Sequence, residues 1–124
     1  MLLYAAADLL WASKIKATAD ALGLPARPVR TLEMLEARLA DTPDIAALIV
    51  DLDKGDDALA LIARLRDARA QGRERAIRIL AWGPHVAKDL LQSARDHGAN
   101  EVLTRGGFDA NMDDILVRLS ARAG

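Results

Sequence analysis

The chain contains no cysteine, which excludes disulfides and thiolate metal sites outright. It has two histidines, His85 and His97, too few for a histidine-based metal site. Aromatic residues make up 3% of the 124 positions while hydrophobic residues make up 52%, so the core must be built mainly from Leu, Ile, Val and Ala. No sign of charge dominates: 17 basic and 18 acidic residues leave a net charge of -1. That balance gives no electrostatic case for nucleic acid or an anionic membrane as partner. No apolar run approaches the ~20 residues needed to cross a bilayer. No basic segment precedes the apolar start, so a signal peptide is not expected. These absences leave one cytoplasmic domain, long enough to bury its own core.

What is present is a run of alternating patterns. Ile45 to Val50 is an apolar stretch that stops on Asp51. It reads as a strand buried on both faces, which delivers Asp51 to the carboxyl edge of a parallel sheet, where open α/β folds keep their sites. Leu2 to Ala6 is a second apolar strand, but Ala6 and Ala7 follow it where acids could stand. Asp8 then caps a helix to about Leu22 with Trp11, Ile15, Ala19 and Leu22 on one face, stopped by Gly23 and Pro25.

Arg27 to Arg30 is a weak strand, and Pro28 inside it demands a sheet edge. Thr31 caps a second helix with Leu32, Leu35 and Leu39 inward. Asp56 or Asp57 opens a third, with Leu61, Ile62 and Leu65 inward, ending near Gln71-Gly72. Ile77 to Trp82 is a fourth strand, and Gly83-Pro84 starts a helix carrying Val86, Leu90 and Ala94 on one face up to Gly98. Glu101 to Thr104 is a fifth strand, and Asp109 caps a last helix with Met112, Ile115 and Leu119 inward. Five strand–helix alternations predict a five-stranded parallel sheet with helices on both faces, the flavodoxin-like order 2-1-3-4-5.

The order and spacing of these features, with His97-Gly98-Ala99-Asn100-Glu101-Val102-Leu103 leading into the fifth strand, resemble the CheY-like receiver domain of two-component response regulators. The resemblance spans residues 1–124 as a single receiver-like domain. It implies that Asp51 stands at the phosphoacceptor position. It also implies that the family's two metal-holding acids fall on Ala6 and Ala7, which cannot ligate Mg²⁺. The Thr or Ser that reads the phosphate falls near Trp82 or Gly83, and the lysine falls on Arg105, followed by Gly106-Gly107 and no proline. The site is therefore expected to be vestigial, formed by Ala6, Ala7, Asp8, Asp53, Trp82, Gly83 and Arg105 around Asp51. The leading expectation is a pseudo-receiver: a non-enzymatic signalling module, without cofactor or metal, that meets a kinase or output protein. A second copy of itself is the other partner considered. The receiver-type surface would include Lys88, Gln92, Arg95, Arg105, Asp114 and Arg118. The alternatives are an active phosphoacceptor using Asp51, and a small-ligand sensor binding between Ala7, Asp51, Trp82 and Phe108.

Plainer readings stand beside the sharper ones. Asp8, Asp53, Asp56 and Asp57 could gather a substitute Mg²⁺ site, but Asp8, Asp56 and Asp57 are expected as helix caps or first-turn acids and Asp51 as a vestige. Trp82 and Phe108 are expected in the core, His85 in a solvated first helical turn, and His97 at a helix end where the dipole favours it. Gly106-Gly107 reads as a loop. Arg64, Arg66, Arg69, Arg73, Arg75 and Arg78, interleaved with Asp67 and Glu74, read as the solvated face of the third helix.

Overall fold

Apolar residues throughout Leu2–Ala5, and at every position of Ala47–Asp51 before the final aspartate, make strands that are buried along their length. The computed structural model describes residues 1–121. In chain order the elements are β1 (Leu2–Ala5), α1 (Leu9–Ala21), β2 (Ala26–Pro28), α2 (Leu32–Asp41) and β3 (Ala47–Asp51), then a single 3₁₀ turn, Leu52–Lys54. There follow α3 (Asp56–Arg66), α4 (Gly72–Arg75), β4 (Arg78–Gly83), α5 (Lys88–Asp96), β5 (Glu101–Thr104), α6 (Arg105–Ala110) and α7 (Met112–Ser120). All neighbouring strands pair in parallel in the order β2-β1-β3-β4-β5, as the alternation predicts. The register sets Leu2 beside Ala26 and Ala47, and Asp51 beside Trp82. Pro28 ends the edge strand, where its missing N–H costs no ladder bond.

The period-two alternation of the strands feeds two cores. Leu3, Ala5, Leu48, Val50, Ile79 and Ala81 face α2, α3 and α5. Leu2, Tyr4, Ile49, Leu80 and Trp82 face α1, α6 and α7. Side-chain caps start α1 and α2 as expected: Asp8 accepts from the Trp11 amide and Thr31 from the Met34 amide. Gly23, at φ 71°, closes α1 with two reversed bonds, Leu24 N–H to the Ala19 carbonyl and Gly23 N–H to that of Asp20. Leu22, expected on the inward face, lies at that turn and is exposed.

Three helix boundaries differ from expectation. The third helix stops at Arg66, not near Gly72. Asp67 turns extended there, and its carboxylate takes the Arg69 amide and guanidinium, leaving α4 as a separate turn. The fourth begins at Lys88. The residue before a proline favours extended backbone, so β4 continues through Gly83, and Pro84–Ala87 forms a turn closed by the Ala87 amide on the Pro84 carbonyl. Val86 is therefore 74% exposed instead of inward. The last helix starts early because the Thr104 hydroxyl accepts from the Gly107 amide, which puts Gly106-Gly107 inside α6 and not in a loop. The break between α6 and α7 falls at Asn111, and Asp109 is not a cap but pairs with Lys14.

The arginine run is corrected at Arg64 and Arg66, while Arg69, Arg73 and Arg75 are exposed as expected. Arg64 is buried, with Nε and Nη2 on Glu36 (2.6 and 3.0 Å) and Nη1 on Glu74 (2.8 Å). Those two carboxylates hold its guanidinium firmly protonated, and Arg64 in turn holds Glu74 below the usual carboxylate range. Arg66 reaches the carbonyls of Gly98 (3.1 Å) and Ile77 (2.7 Å) and Oδ1 of Asn100 (2.8 Å), tying α3 to both ends of the β4–α5 segment. Gly98 has φ 111°, and a Cβ there would lie 2.7 Å from the Arg66 stem, so glycine is required twice over. Arg73 and Arg75 bond backbone carbonyls at the ends of α2 and α3.

Replacing Arg64 with Met strands Glu74 in the core without its counter-charge. The expected loss is about 3 kcal/mol, at the low end for a buried pair because Glu36 is half in water. Urea unfolding measures it, and Arg64→Met with Glu74→Leu should recover most of the loss. A single variant within about 0.5 kcal/mol of the parent would remove the triad from the stability argument.

Candidate functional site

The strands all end at one edge, and Asp51 is the last residue of the central one. Its side chain is almost wholly shielded, at 1% exposure. Both carboxylate oxygens are taken by main-chain donors: Oδ2 accepts from the Ala7 amide at 2.9 Å and Oδ1 from the Asp53 amide at 3.0 Å. The first bond ties the β1–α1 turn to β3, and the second starts the 3₁₀ turn after it. Burial pushes the Asp51 carboxyl above its ordinary range. The two amides and the Arg105 charge pull the other way, while the Asp53 charge adds to the rise.

Around it stand the residues that the sequence pattern singles out. Ala6 is half-buried and Ala7 exposed, and each brings only a methyl group. Asp8 is committed to the α1 cap. Arg105 reaches across to Asp53 and pairs with it, not with Asp51, while its Nε is buried with no partner among the described residues. Gly83 is packed so closely that a Cβ would lie 3.2 Å from Cβ of Leu52, so a hydroxyl-bearing side chain needs Leu52 to give way. Asp56 and Asp57 lie in the first turn of α3, whose N-cap is Gly55.

These donors do not fit Mg²⁺. Octahedral magnesium needs carboxylate oxygens converging with water. Among the described residues no three His, Cys, Asp or Glu side chains gather in that way. Of the acids near Asp51, one caps a helix and another is paired with arginine.

Trp82 and Phe108 are both fully buried and stack with ring centroids 4.5 Å apart; Trp11 leans on them at 5.8 and 6.1 Å. They are core, as expected. Trp82 Nε1 has no hydrogen-bond partner among the described residues. His85 is exposed in the Pro84–Ala87 turn, not in a first helical turn. It borders a groove of about 550 Å³ with Trp11, Val86, Thr104, Arg105 and Asp109. His97 caps the end of α5, its Nδ1 2.8 Å from the Ser93 carbonyl.

Lys88, Gln92 and Arg95 occupy exposed positions of α5, and Asp114 and Arg118 exposed positions of α7, on the two sides of the edge strand β5. Arg118 makes a two-pronged bond to Glu101 at 2.6 and 2.9 Å, and Gln92 bonds Asp96. One feature escaped the sequence reading: a cleft of about 420 Å³ beside Ala7, between the β1–α1 turn and the end of β2, with Lys16, Arg30 and Lys54 on its walls. Their numbers are far apart, and only the sheet order brings them together.

No protein-family model and no curated protein matches this chain. Solved structures do. A receiver domain of a response regulator from Bermanella marisrubri superposes with a TM-score of 0.77 at 21% identity, covering 97% of each chain. The receiver domain of a sensor histidine kinase from Pseudomonas aeruginosa, crystallised with magnesium in its active-site cleft, gives 0.74 at 20% identity, over 96% of this chain and 95% of that one. A chemotaxis response regulator of Vibrio cholerae gives 0.76 at 13% identity, over 95% and 96%. At these identities the likeness shows the fold: this chain has the flavodoxin-like architecture of CheY-like receiver domains. No helix among the described residues is long and apolar enough to cross a membrane.

The Asp51 environment makes a pH prediction. Its carboxyl ¹³C resonance should titrate with a midpoint above 3.8, the ordinary aspartate value. Because the folded state holds this proton more tightly than the unfolded chain, Asp51 favours folding most below 3.8. That contribution is lost as the pH rises through the raised folded value. A midpoint at or below 3.8 would mean that the two amides outweigh burial.

Proposed function

We propose that the chain is a pseudo-receiver, a non-enzymatic signalling module that works by contact with another protein and does not use Mg²⁺-dependent phosphorylation. The observation that carries this reading is Asp51: buried, with both oxygens already bonded to backbone amides and only Ala6 and Ala7 where metal-holding acids stand in receivers. Phosphoryl transfer to a carboxylate relies on positioning and on cancelling the phosphate's charge. Here whichever oxygen attacks is already bonded to a backbone amide, and Arg105 is engaged by Asp53. Gly83 offers no hydroxyl to register an adduct.

The receiver fold supports a signalling kinase or an output protein as partner, with a second copy of the chain as the other candidate. Solved structures of this shape include a response regulator and the receiver domain of a histidine kinase. The surface on which we base the contact is formed by Lys88, Gln92, Arg95, Arg105, Asp114 and Arg118 around β5. The rival reading, an active phosphoacceptor, rests on Asp51 itself, which stands at the end of the central strand.

Intact mass spectrometry after incubation with acetyl phosphate and Mg²⁺ separates the two. The expected result is no stable adduct, with partner binding that survives Asp51→Ala. A stoichiometric adduct on Asp51, with partner binding that requires it, would replace the pseudo-receiver with the active form.

A further inference from the structure

The cleft beside Ala7 has a composition that asks for a ligand of a definite kind. Its floor is apolar: Tyr4, Ala6, Ala12, Pro28 and Val29, with Val29 fully buried and Tyr4 nearly so. Its charged lining is three cations against one acid. Lys16 comes from α1, Arg30 follows β2, and Lys54 ends the turn after β3, so three separate elements direct positive charge to one opening. The acid, Asp8, is occupied by the Trp11 amide. Lys16 shares its charge with Asp20 at the surface. Arg30 and Lys54 make no side-chain hydrogen bond or ion pair with any described residue. At about 420 Å³ the space falls in the range of small-molecule sites, which are mostly apolar with a few polar groups that fix orientation.

We propose that this cleft binds a small organic anion: an apolar body about the size of one ring, bearing a carboxylate or a phosphate. The apolar part lies on Ala6, Leu9 and Ala12, backed by Tyr4 and Val29, and the anionic group meets Arg30 and Lys54. An arginine and a lysine suit this division, since the guanidinium can grip a carboxylate or phosphate with two parallel bonds while the ammonium adds a point charge. Alanine at positions 6 and 7 is part of the design. Two acids there would cancel the net positive charge of the lining and remove its attraction for the same ligand. Ala7 also donates its amide to Asp51, so occupancy of the cleft is felt at the end of β3. The proposal goes beyond the pseudo-receiver reading and stands whether or not Asp51 accepts phosphate.

The test uses the ¹⁵N-labelled full chain, without Mg²⁺ or phosphodonor, titrated with benzoate and with phenylphosphate to about 10 mM. The expected result is saturable shifts of the Ala6, Ala7, Val29, Arg30 and Lys54 amides. Benzylammonium, with the same ring and the opposite charge, should leave them still. Inorganic phosphate, which has no use for the floor, should bind roughly tenfold more weakly than phenylphosphate. Arg30→Glu with Lys54→Glu, both at the surface, should weaken binding roughly tenfold or more. Ala12→Phe should block the floor without changing charge. If that variant does not fold, the charge pair alone decides. Shifts that never saturate or that map elsewhere would overturn the proposal, as would equal binding of benzylammonium or of inorganic phosphate, or full binding by the charge-reversed variant.

Discussion

Everything in this molecule is arranged around a central strand that touches no water. Each of the five residues of β3 is at most 1% exposed, and each flanking strand takes its register from it. Burial on both sides means that Leu48 and Val50 need one helical layer and Ile49 another. A slip of one residue would exchange the two sets and drive Asp51 into a core. The strand therefore fixes the sheet order, the two helical layers and the position of one carboxylate at once. Asp51 lies at the point where the apolar ladder runs out, the first place at which a charge is tolerable. Even there it is shielded, and it persists because two backbone amides meet it.

Those amides, more than any side chain, define the chemistry of the edge. The Arg105–Asp53 pair is about two-fifths exposed on both sides, and such pairs contribute ~0–1 kcal/mol. The bonds from Ala7 and Asp53 are shielded, directed and made to an ionised acceptor, which places them among the stronger kind. A carboxylate satisfied in this way has little need of a cation. The same hydrogen bonds fix the β1–α1 turn on one side and the 3₁₀ turn on the other, so they are structural ties as well as electrostatic ones.

The sequence disclosed what depends on periodicity. Two-faced apolar runs gave the strands, the i, i+3 and i, i+4 spacing gave the inward residues of α2, α3 and α7, and Asp8, Thr31 and Gly23 marked helix ends through their own local chemistry. It concealed what depends on a partner from another element. Arg64 looks like a solvated cation until Glu36 and Glu74 are brought to it by α2 and α4. The early start of α6 rests on one Thr104 hydroxyl, and the stop at Arg66 on the Asp67 carboxylate; neither changes the hydrophobic pattern. For the site, Asp51 and its alanine neighbours were readable by position, because strand ends share an edge. The commitment of Arg105 to Asp53 was not, nor was the stacking of Trp11 with the buried Trp82 and Phe108.

The cleft and the aspartate are joined by a single N–H. Ala7 lies on the wall of the cleft with its methyl outward, and its amide points back to Asp51. In a receiver that binds Mg²⁺, the acids after the first strand face the acceptor aspartate and a metal neutralises them together. With alanine at both positions nothing there requires a metal, and the turn can be held by its main chain alone. Of the three cations on the walls, Lys16 pairs with Asp20, while Arg30 and Lys54 make no side-chain hydrogen bond or ion pair with any described residue. With no carboxylate at positions 6 and 7, the cations on the cleft walls outnumber the acids, which is the field that an anion site needs. A ligand in that field would press on the turn whose amide holds Asp51. If Asp51 loses that bond it keeps its burial but only one amide, and its carboxyl becomes still easier to protonate. Burial sets the direction in which the aspartate is shifted, the peptide group of Ala7 in the β1–α1 turn opposes it, and the proposed cleft site is where another molecule would reach that turn.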